Sequence, residues 1–225
     1  IYQKLYAITN PDSYSKTTTN FLERLNSVNL SDSLIAIKDL IKTNIHSEKS
    51  LNQYVYRALD IFVKHIIENH SGYQYLWKKD QHENLFGPLT ETKIQPYIFG
   101  QLTNLFDFMG IKINREVKSG NGSIDFLVSY TTTENRLILT CVELKLAHSG
   151  NVESGILKQL PAYMKSQRCT NGIYLVLWFK GKNFDKPKNY ETMYDLNLAL
   201  NELNIDPHML IMSIDCSKPI EPSKL

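Results

Sequence analysis

The run of residues 172–179, GIYLVLWF, constrains the fold more than any other part of the sequence, because it holds no charged side chain and is rich in β-branched and aromatic residues. A short apolar run of this kind is typical of a strand that is buried on both faces. Such a strand needs a covering layer on each side, and helices supply those layers in an α/β domain. The sequence therefore predicts a central strand in a sheet that is flanked by helices.

The patterns on either side of this run predict the rest of the sheet. Apolar periodicity and turn residues give an expected order of helix, three strands, helix, strand, helix and strand. The segments are a helix from Thr90 to Gly110, strands Ile111–Val117, Ser123–Tyr130 and Leu137–Leu146, a helix from Gly150 to Lys165, strand Gly172–Phe179, a helix at Thr192–Leu203 and strand His208–Ile214. The first three strands are predicted to form an antiparallel meander, and the crossover helix implies that the strands before and after it are parallel. The expected fold class is α/β, with a mixed β-sheet flanked by helices.

The first part of the chain has a different pattern. Helical spacing of apolar residues predicts three helices, near residues 21–28, 34–41 and 50–70. The polar, glycine-containing stretch 71–88 is predicted to connect these helices to the sheet. We therefore expect a helical N-terminal region at residues 1–80 and a main domain at residues 85–225.

The composition excludes several classes of protein. No window is apolar over the roughly 18 residues that a membrane helix needs, so a membrane protein is not expected. The three cysteines form no C-x-x-C pair, which argues against a disulfide framework or a zinc ribbon and favours a reducing, cytoplasmic setting. A net charge of +2 decides nothing about nucleic acid. Because residue 1 is Ile, we expect a processed product or a piece of a longer chain.

Two charged residues interrupt the apolar strand Leu137–Leu146. Side chains alternate along a strand, so Glu143 and Lys145 share one face, about 7 Å apart along the strand. Burying charges among apolar neighbours costs several kcal/mol unless each is paired or bound to a metal. Asp125, between Ile124 and Phe126 on the preceding strand, raises the same question. The two carboxylates are predicted to meet across the strands.

This set of residues suits one kind of chemistry. Two carboxylates with waters or phosphate oxygens match the oxygen ligands that Mg²⁺ prefers. A lysine on the same face would hold or help deprotonate an attacking water and offset charge on a phosphate, while the metal polarises the scissile group. The pattern therefore predicts hydrolysis of phosphodiester bonds. The alternative is an ordinary Glu143–Lys145 salt bridge on a solvated sheet edge, which would stabilise the fold by under about 1 kcal/mol.

The order of three motifs carries a resemblance to a known superfamily. Gly122–Ser123–Ile124–Asp125, then Glu143–Leu144–Lys145, then Gln159–Leu160–Pro161–Ala162–Tyr163 resemble the G-x-x-D, E-x-K and Q-x-x-x-Y motifs of RecB-like PD-(D/E)xK nucleases. The proline of the superfamily name is replaced by Ile124. The resemblance covers about residues 89–225 and implies a restriction-endonuclease-like core. It also implies Mg²⁺ or Mn²⁺ bound by Asp125 and Glu143, with Lys145 positioning the nucleophile.

The resemblance extends to further residues. Gln159 and Tyr163 would lie on a helix that borders the active site, although Pro161 means that this helix is either kinked or begins near Leu160. An acidic residue on the helix before the meander often adds a metal ligand, and Glu91 occupies that place. A merely structural first-turn acid is the alternative for Glu91, because the helix dipole favours one there.

Residues beyond the buried strand form a basic loop with interspersed aromatic side chains. Its lysines, which we predict to follow a phosphate backbone, are Lys180, Lys182, Lys186 and Lys188. A solvated lysine-rich loop is the alternative. His148, just past the strand that carries Lys145, is placed to reach the site, but a lone loop histidine is more often solvent-exposed.

The resemblance implies a nuclease that acts on DNA, in anti-phage defence, restriction or repair, alone or as a homodimer or larger complex. Two other functions stay open on sequence grounds. One is a catalytically inactive nucleic-acid-binding or scaffolding module on the same fold, since fold does not imply function. The other is a helical interaction protein that uses the first seventy residues.

Overall fold

The structure is a computed structural model, and it describes residues 32–119 and 122–219. The chain divides into two compact units, residues 1–43 and residues 44–225. In the first unit the described part contains helix α1 (Asp32–Ile41), which agrees with the predicted helix at 34–41. The helix predicted near residues 21–28 lies outside the described residues. None of the described helices combines the length and apolar character needed to cross a membrane.

The second unit contains the sheet and its helices. Its strands are β1 (Trp77–Lys79), β2 (Leu85–Pro88), β3 (Lys112–Ser119), β4 (Gly122–Thr131), β5 (Leu137–Leu146), β6 (Gly172–Trp178) and β7 (Met209–Asp215). Its α-helices are α2 (Glu48–Leu59), α3 (His65–Asn69), α4 (Glu91–Phe108), α5 (Val152–Ser154), α6 (Leu160–Gln167) and α7 (Met193–Leu203). A π-helical segment joins α2 to α3 at Asp60–Lys64, and a second joins α5 to α6 at Gly155–Gln159.

Five strands form one mixed sheet in the order β3-β4-β5-β6-β7. The pairs β3–β4 and β4–β5 are antiparallel, whereas β5–β6 and β6–β7 are parallel. The predicted meander and the predicted parallel crossover are both confirmed. Together with the flanking helices, this confirms the α/β class with a mixed sheet.

The central strand β6 is buried along its whole length, as its apolar sequence predicts. On one face of the sheet, Cys141 of β5 and Tyr174 of β6 belong to a single apolar cluster. The helices contribute Ile156 from the π-helical segment before α6, Leu160 from α6 and Leu196 from α7. On the other face, Thr140 of β5 donates a hydrogen bond of 2.6 Å to Asn52 of α2. Helices therefore cover both faces of the sheet.

The helices α2 and α3 belong to the same unit as the sheet. Tyr56 donates to the Ile211 carbonyl, Lys64 donates to the Ser213 carbonyl, and Glu68 accepts from the Asp215 amide. These bonds tie the helices to β7. The contacts divide the chain between residues 43 and 44, and the change in sequence pattern near residue 80 lies within the second unit.

The connection at residues 71–88 contains structure that the sequence pattern does not predict. Strands β1 and β2 form a small antiparallel sheet, in which Trp77 pairs with Pro88. The Trp77 indole donates to the Cys216 carbonyl at 2.8 Å, just after β7. These contacts therefore hold the connection that leads to the start of α4 in place.

Candidate active site

The strands β4 and β5 separate at one end, and this separation creates the candidate site. Their last ladder pair at that end is Phe126 with Val142. Beyond it, two amides of β5 that point toward β4 bind carboxylates instead of a strand. The Leu144 amide donates to Asp125 Oδ2 at 2.7 Å, and the Leu146 amide donates to Glu91 Oε1 at 3.1 Å. Acidic side chains thus complete the backbone hydrogen bonding at the opening.

Asp125 is held from two sides. Besides the Leu144 amide, its Oδ1 accepts from Gln95 Nε2 at 2.6 Å. The Asp125 side chain is 9% exposed and Gln95 is 3% exposed. Gln95 lies four residues after Glu91 on α4, so both side chains project from one helix face toward the site.

Glu143 and Lys145 form a buried ion pair on the same face of β5. Lys145 Nζ lies 2.8 Å from Glu143 Oε1 and 3.4 Å from Glu91 Oε2, and it donates to the Leu144 carbonyl. Glu143 is 2% exposed and Lys145 is 7% exposed. Glu143 Oε2 is buried with no hydrogen-bond partner among the described residues. The structure therefore brings Glu91, Asp125, Glu143 and Lys145 together.

Electrostatics in this cluster favour a bound cation. Burial raises the pKa of Asp125, and burial followed by the charge of Asp125 raises the pKa of Glu143, despite the opposing effect of Lys145 on both. Burial lowers the pKa of Lys145, but the Glu143, Glu91 and Asp125 carboxylates more than reverse that effect and raise it. The lysine is accordingly a stable ammonium group. The carboxylates are costly to ionise without more positive charge.

The residues fit a hard divalent cation that takes only a few of its ligands from the protein. No group of three or more His, Cys, Asp or Glu side chains in the described part of the chain is arranged to hold a metal ion. Asp125 and Glu143 would be its carboxylate ligands, and the unpartnered Glu143 Oε2 is the oxygen available for it. Mg²⁺ is usually bound by one or two carboxylates and keeps several waters. Glu91 Oε2 and Oε1 accept from Lys145 and the Leu146 amide, so Glu91, like Asp125, would share its oxygens with these donors as a ligand.

Tyr163, one of the two predicted helix residues, lies near this cluster. Burial, followed by the charges of Glu143 and Asp125, raises the pKa of the Tyr163 hydroxyl, which places that side chain within electrostatic reach of both. The hydroxyl also packs on Gly122, where a Cβ atom would lie 2.7 Å from it. Gln159 Oε1 is buried and unpartnered among the described residues.

Pro161 explains the unusual helix that carries these two residues. The α-helical turns of α6 start at Leu160, but they continue the π-helical segment Gly155–Gln159, so the helix does not begin at the proline. The Leu160 amide donates to the Gly155 carbonyl five residues back, which is a π-type bond. A proline has no amide hydrogen to donate, so the wider turn lets the helix continue past it.

The four lysines of the basic loop have different environments in the structure. Lys180 is 17% exposed and binds the Tyr190 carbonyl and Glu191, so its charge is committed within the fold. Lys188 pairs with Asp185 on the surface. Lys186 and Lys182 are exposed and make no ion pair with any described residue.

His148 lies between the site and this loop. Its ring packs edge-on against Phe184 and Phe179, with centroids 4.8 Å and 6.0 Å away. Burial and the charge of Lys186 lower the pKa of His148, while Glu91 acts in the opposite direction. The ring is therefore partly buried, contrary to the alternative of a solvent-exposed loop histidine.

Comparison with protein families assigns most of the second unit's sheet to a family. Residues 51–181 match a family that is described as a domain of unknown function, DUF8371, and this span is more than half of the chain. The chain belongs to the DUF8371 family. The DUF8371 region runs from α2 to just past β6, so it contains the whole acidic cluster and Lys145. No curated protein matches the chain.

Gln95 is the residue of this DUF8371 site to which sequence reasoning assigned no role. Its contact with Asp125 joins two residues that are 30 positions apart. The available signal was its spacing of four residues from Glu91 on one predicted helix face. That spacing indicates a shared direction but not the target of the side chain.

Proposed function

We propose that this chain is a metal-dependent nuclease that hydrolyses phosphodiester bonds in DNA. The observation that carries the proposal is the pair of buried carboxylates, Asp125 and Glu143, at the point where β4 and β5 separate, with the Lys145 ammonium group beside them. Buried acids whose pKa values are raised by desolvation beside a specific charged partner mark candidate functional sites. The resemblance to PD-(D/E)xK nucleases, which rests on the same residues, supports the same function.

Each residue has a role in this proposal. Asp125 and Glu143 would hold Mg²⁺ or Mn²⁺, which supplies Lewis-acid polarisation of the phosphate when it is bound. Lys145, as an ammonium group, donates to the attacking water or to a phosphate oxygen and offsets negative charge in the transition state. The water oxygen bonds to phosphorus, its proton is released to solvent, and the bond from phosphorus to the leaving oxygen breaks as that oxygen is protonated. Gln159 and Tyr163 border the substrate.

The setting is proposed to be the cytoplasm. Cys141, Cys169 and Cys216 are all free and buried, as expected for a protein of a reducing compartment. Defence against foreign DNA, restriction and repair are the roles that the resemblance favours.

The test is cleavage of supercoiled plasmid DNA with Mg²⁺ or Mn²⁺ and with EDTA. We expect the wild type to cut only with metal, and Asp125→Asn, Glu143→Gln and Lys145→Met to lose at least about 100-fold in rate, the scale of a lost transition-state contact. Glu134→Gln, which removes an exposed acid that pairs only with Arg136 among the described residues, is the matched control and should cut normally. Wild-type protein that binds DNA without cutting it would favour the inactive binding module instead.

A further inference from the structure

A cleft of about 380 Å³ opens beside the candidate active site. It is lined by residues 147–150 after β5, by Val152 and Glu153, and by residues 186–189 of the basic loop. The first wall continues directly from Leu146, whose amide binds Glu91. A ligand in the cleft would therefore lie next to the acidic cluster.

One wall of the cleft is basic, which suits an anionic ligand. Lys186 and Lys188 line one side, and Lys186 makes no ion pair with any described residue. Two acids lie nearby: Glu153 is part of the lining, and Asp185 precedes Lys186 in the chain. Glu153 accepts a hydrogen bond of 2.6 Å from the Tyr190 hydroxyl, and Asp185 pairs with Lys188. Asp185 lies within electrostatic reach of Lys186, and Glu153 keeps its charge because the Tyr190 hydroxyl is a neutral donor, but Lys186 forms no ion pair with a described residue.

Two further features suit a ligand with a polar backbone. His148 Nδ1 is buried and has no hydrogen-bond partner in the described part of the chain, so the wall carries an unsatisfied polar atom. Gly150 faces open space, because a Cβ atom there would meet nothing within 4 Å. Glycine at such a place lets a ligand backbone approach closely.

We propose that this cleft binds one phosphodiester unit of the substrate strand, next to the bond that is cut, with Lys186 as the main phosphate contact. This rests on the proposed nuclease function. The cleft lies at the small end of the range for ligand sites, about 300 to 1,000 Å³, so it takes one nucleotide of one strand and not a duplex. The lysines of the basic loop therefore differ in this proposal. Lys186 binds the phosphate, and Lys188 contributes less because Asp185 neutralises it. Lys182 is not part of the cleft wall and does not bind the phosphate.

The test is the salt dependence of binding of a fluorescent single-stranded oligonucleotide to the full chain in EDTA. Each phosphate contact contributes about −0.7 to the slope of log K against log salt concentration for a single strand. Lys186→Ser should lower the size of the slope by about 0.7 and weaken binding, whereas Lys186→Arg should keep it. Lys182→Ser removes the same charge from the same exposed loop and should keep the wild-type slope.

Three results would overturn the proposal: an unchanged slope for Lys186→Ser, an equal loss for Lys182→Ser, or no binding of the oligonucleotide by the wild type. An equal loss would mean that the loop acts as a diffuse basic patch. The plasmid assay separates this proposal from the nuclease itself. If only Lys186→Ser lowers the slope but the wild type does not cut plasmid DNA, the cleft proposal holds and the nuclease proposal fails. If the wild type cuts plasmid DNA with metal but Lys186→Ser leaves the slope unchanged, the nuclease proposal holds and the cleft proposal fails.

Discussion

At the scale of single residues, the site depends on hydrogen bonds that satisfy buried charge. Asp125 is the clearest case, because it accepts from a backbone amide of β5 and from the Gln95 side chain. A buried carboxylate that loses a donor keeps its desolvation cost without the compensating bond. Gln95 therefore stabilises the folded protein through Asp125.

Replacing Gln95 with Leu should lower the free energy of unfolding by about 1 to 3 kcal/mol, in the range for an orphaned buried polar group. The loss should be at the lower end, because Leu also removes the unpartnered Gln95 Oε1. Urea denaturation of a double-mutant cycle with Asp125→Ala measures the coupling. An equal loss in both backgrounds would show that Gln95 acts by packing and not through Asp125.

At the scale of elements, the ends of helices fix the loops that surround the site. The helix α7 starts with a reciprocal cap: the Thr192 side chain accepts from the Asp195 amide, and Asp195 accepts from the Thr192 amide. This cap ends the segment that holds the basic loop, where Lys180 binds the Tyr190 carbonyl. The helix α4 starts differently, since Thr90 makes no such bond to the helix backbone.

This difference predicts unequal effects for one substitution at two helix starts. Thr192→Ala should lower the free energy of unfolding by about 1 kcal/mol, the usual cost of a lost N-cap. Thr90→Ala, which removes the same atoms from a helix start without a side-chain cap bond, should cost less. Thermal or urea unfolding of the two variants makes the comparison, and equal losses would contradict the assignment of the cap.

At the scale of the whole molecule, the buried acids couple folding to pH. Asp125 and Glu143 have raised pKa values in the folded state, so the folded protein binds more protons than the unfolded chain above the ordinary carboxyl range, about pH 4. Their contribution to stability is complete below that range and is lost as pH rises. Lys145 does not change over the same window, because its raised pKa keeps it charged.

We therefore expect the metal-free protein to lose stability between about pH 4.5 and about pH 8 relative to Asp125→Asn/Glu143→Gln. His148 acts in the opposite direction, since its lowered pKa favours folding as pH rises, but it is present in both proteins and cancels. Melting curves in EDTA across this range measure the difference. A melting-temperature difference between the two proteins that does not change with pH would contradict the coupling.

The sequence by itself determined the architecture of the sheet. The bounds of β5 coincide with the predicted Leu137–Leu146, and β6 ends one residue before the predicted Phe179. This succeeds because alternation and apolar runs are local signals of burial. It also placed Glu143 and Lys145 on one face, since that follows from the period of a strand alone.

Only the tertiary structure decided which groups meet. The separation of β4 from β5 beyond Phe126 and Val142 and the reach of Gln95 to Asp125 depend on packing between segments far apart in the chain. So do the different surroundings of two lysines of the basic loop: Lys180 binds Glu191, whereas Lys186 forms no ion pair with a described residue. A side chain's direction is a local property of its element, whereas its partner is set by how the elements pack, and no local pattern encodes that.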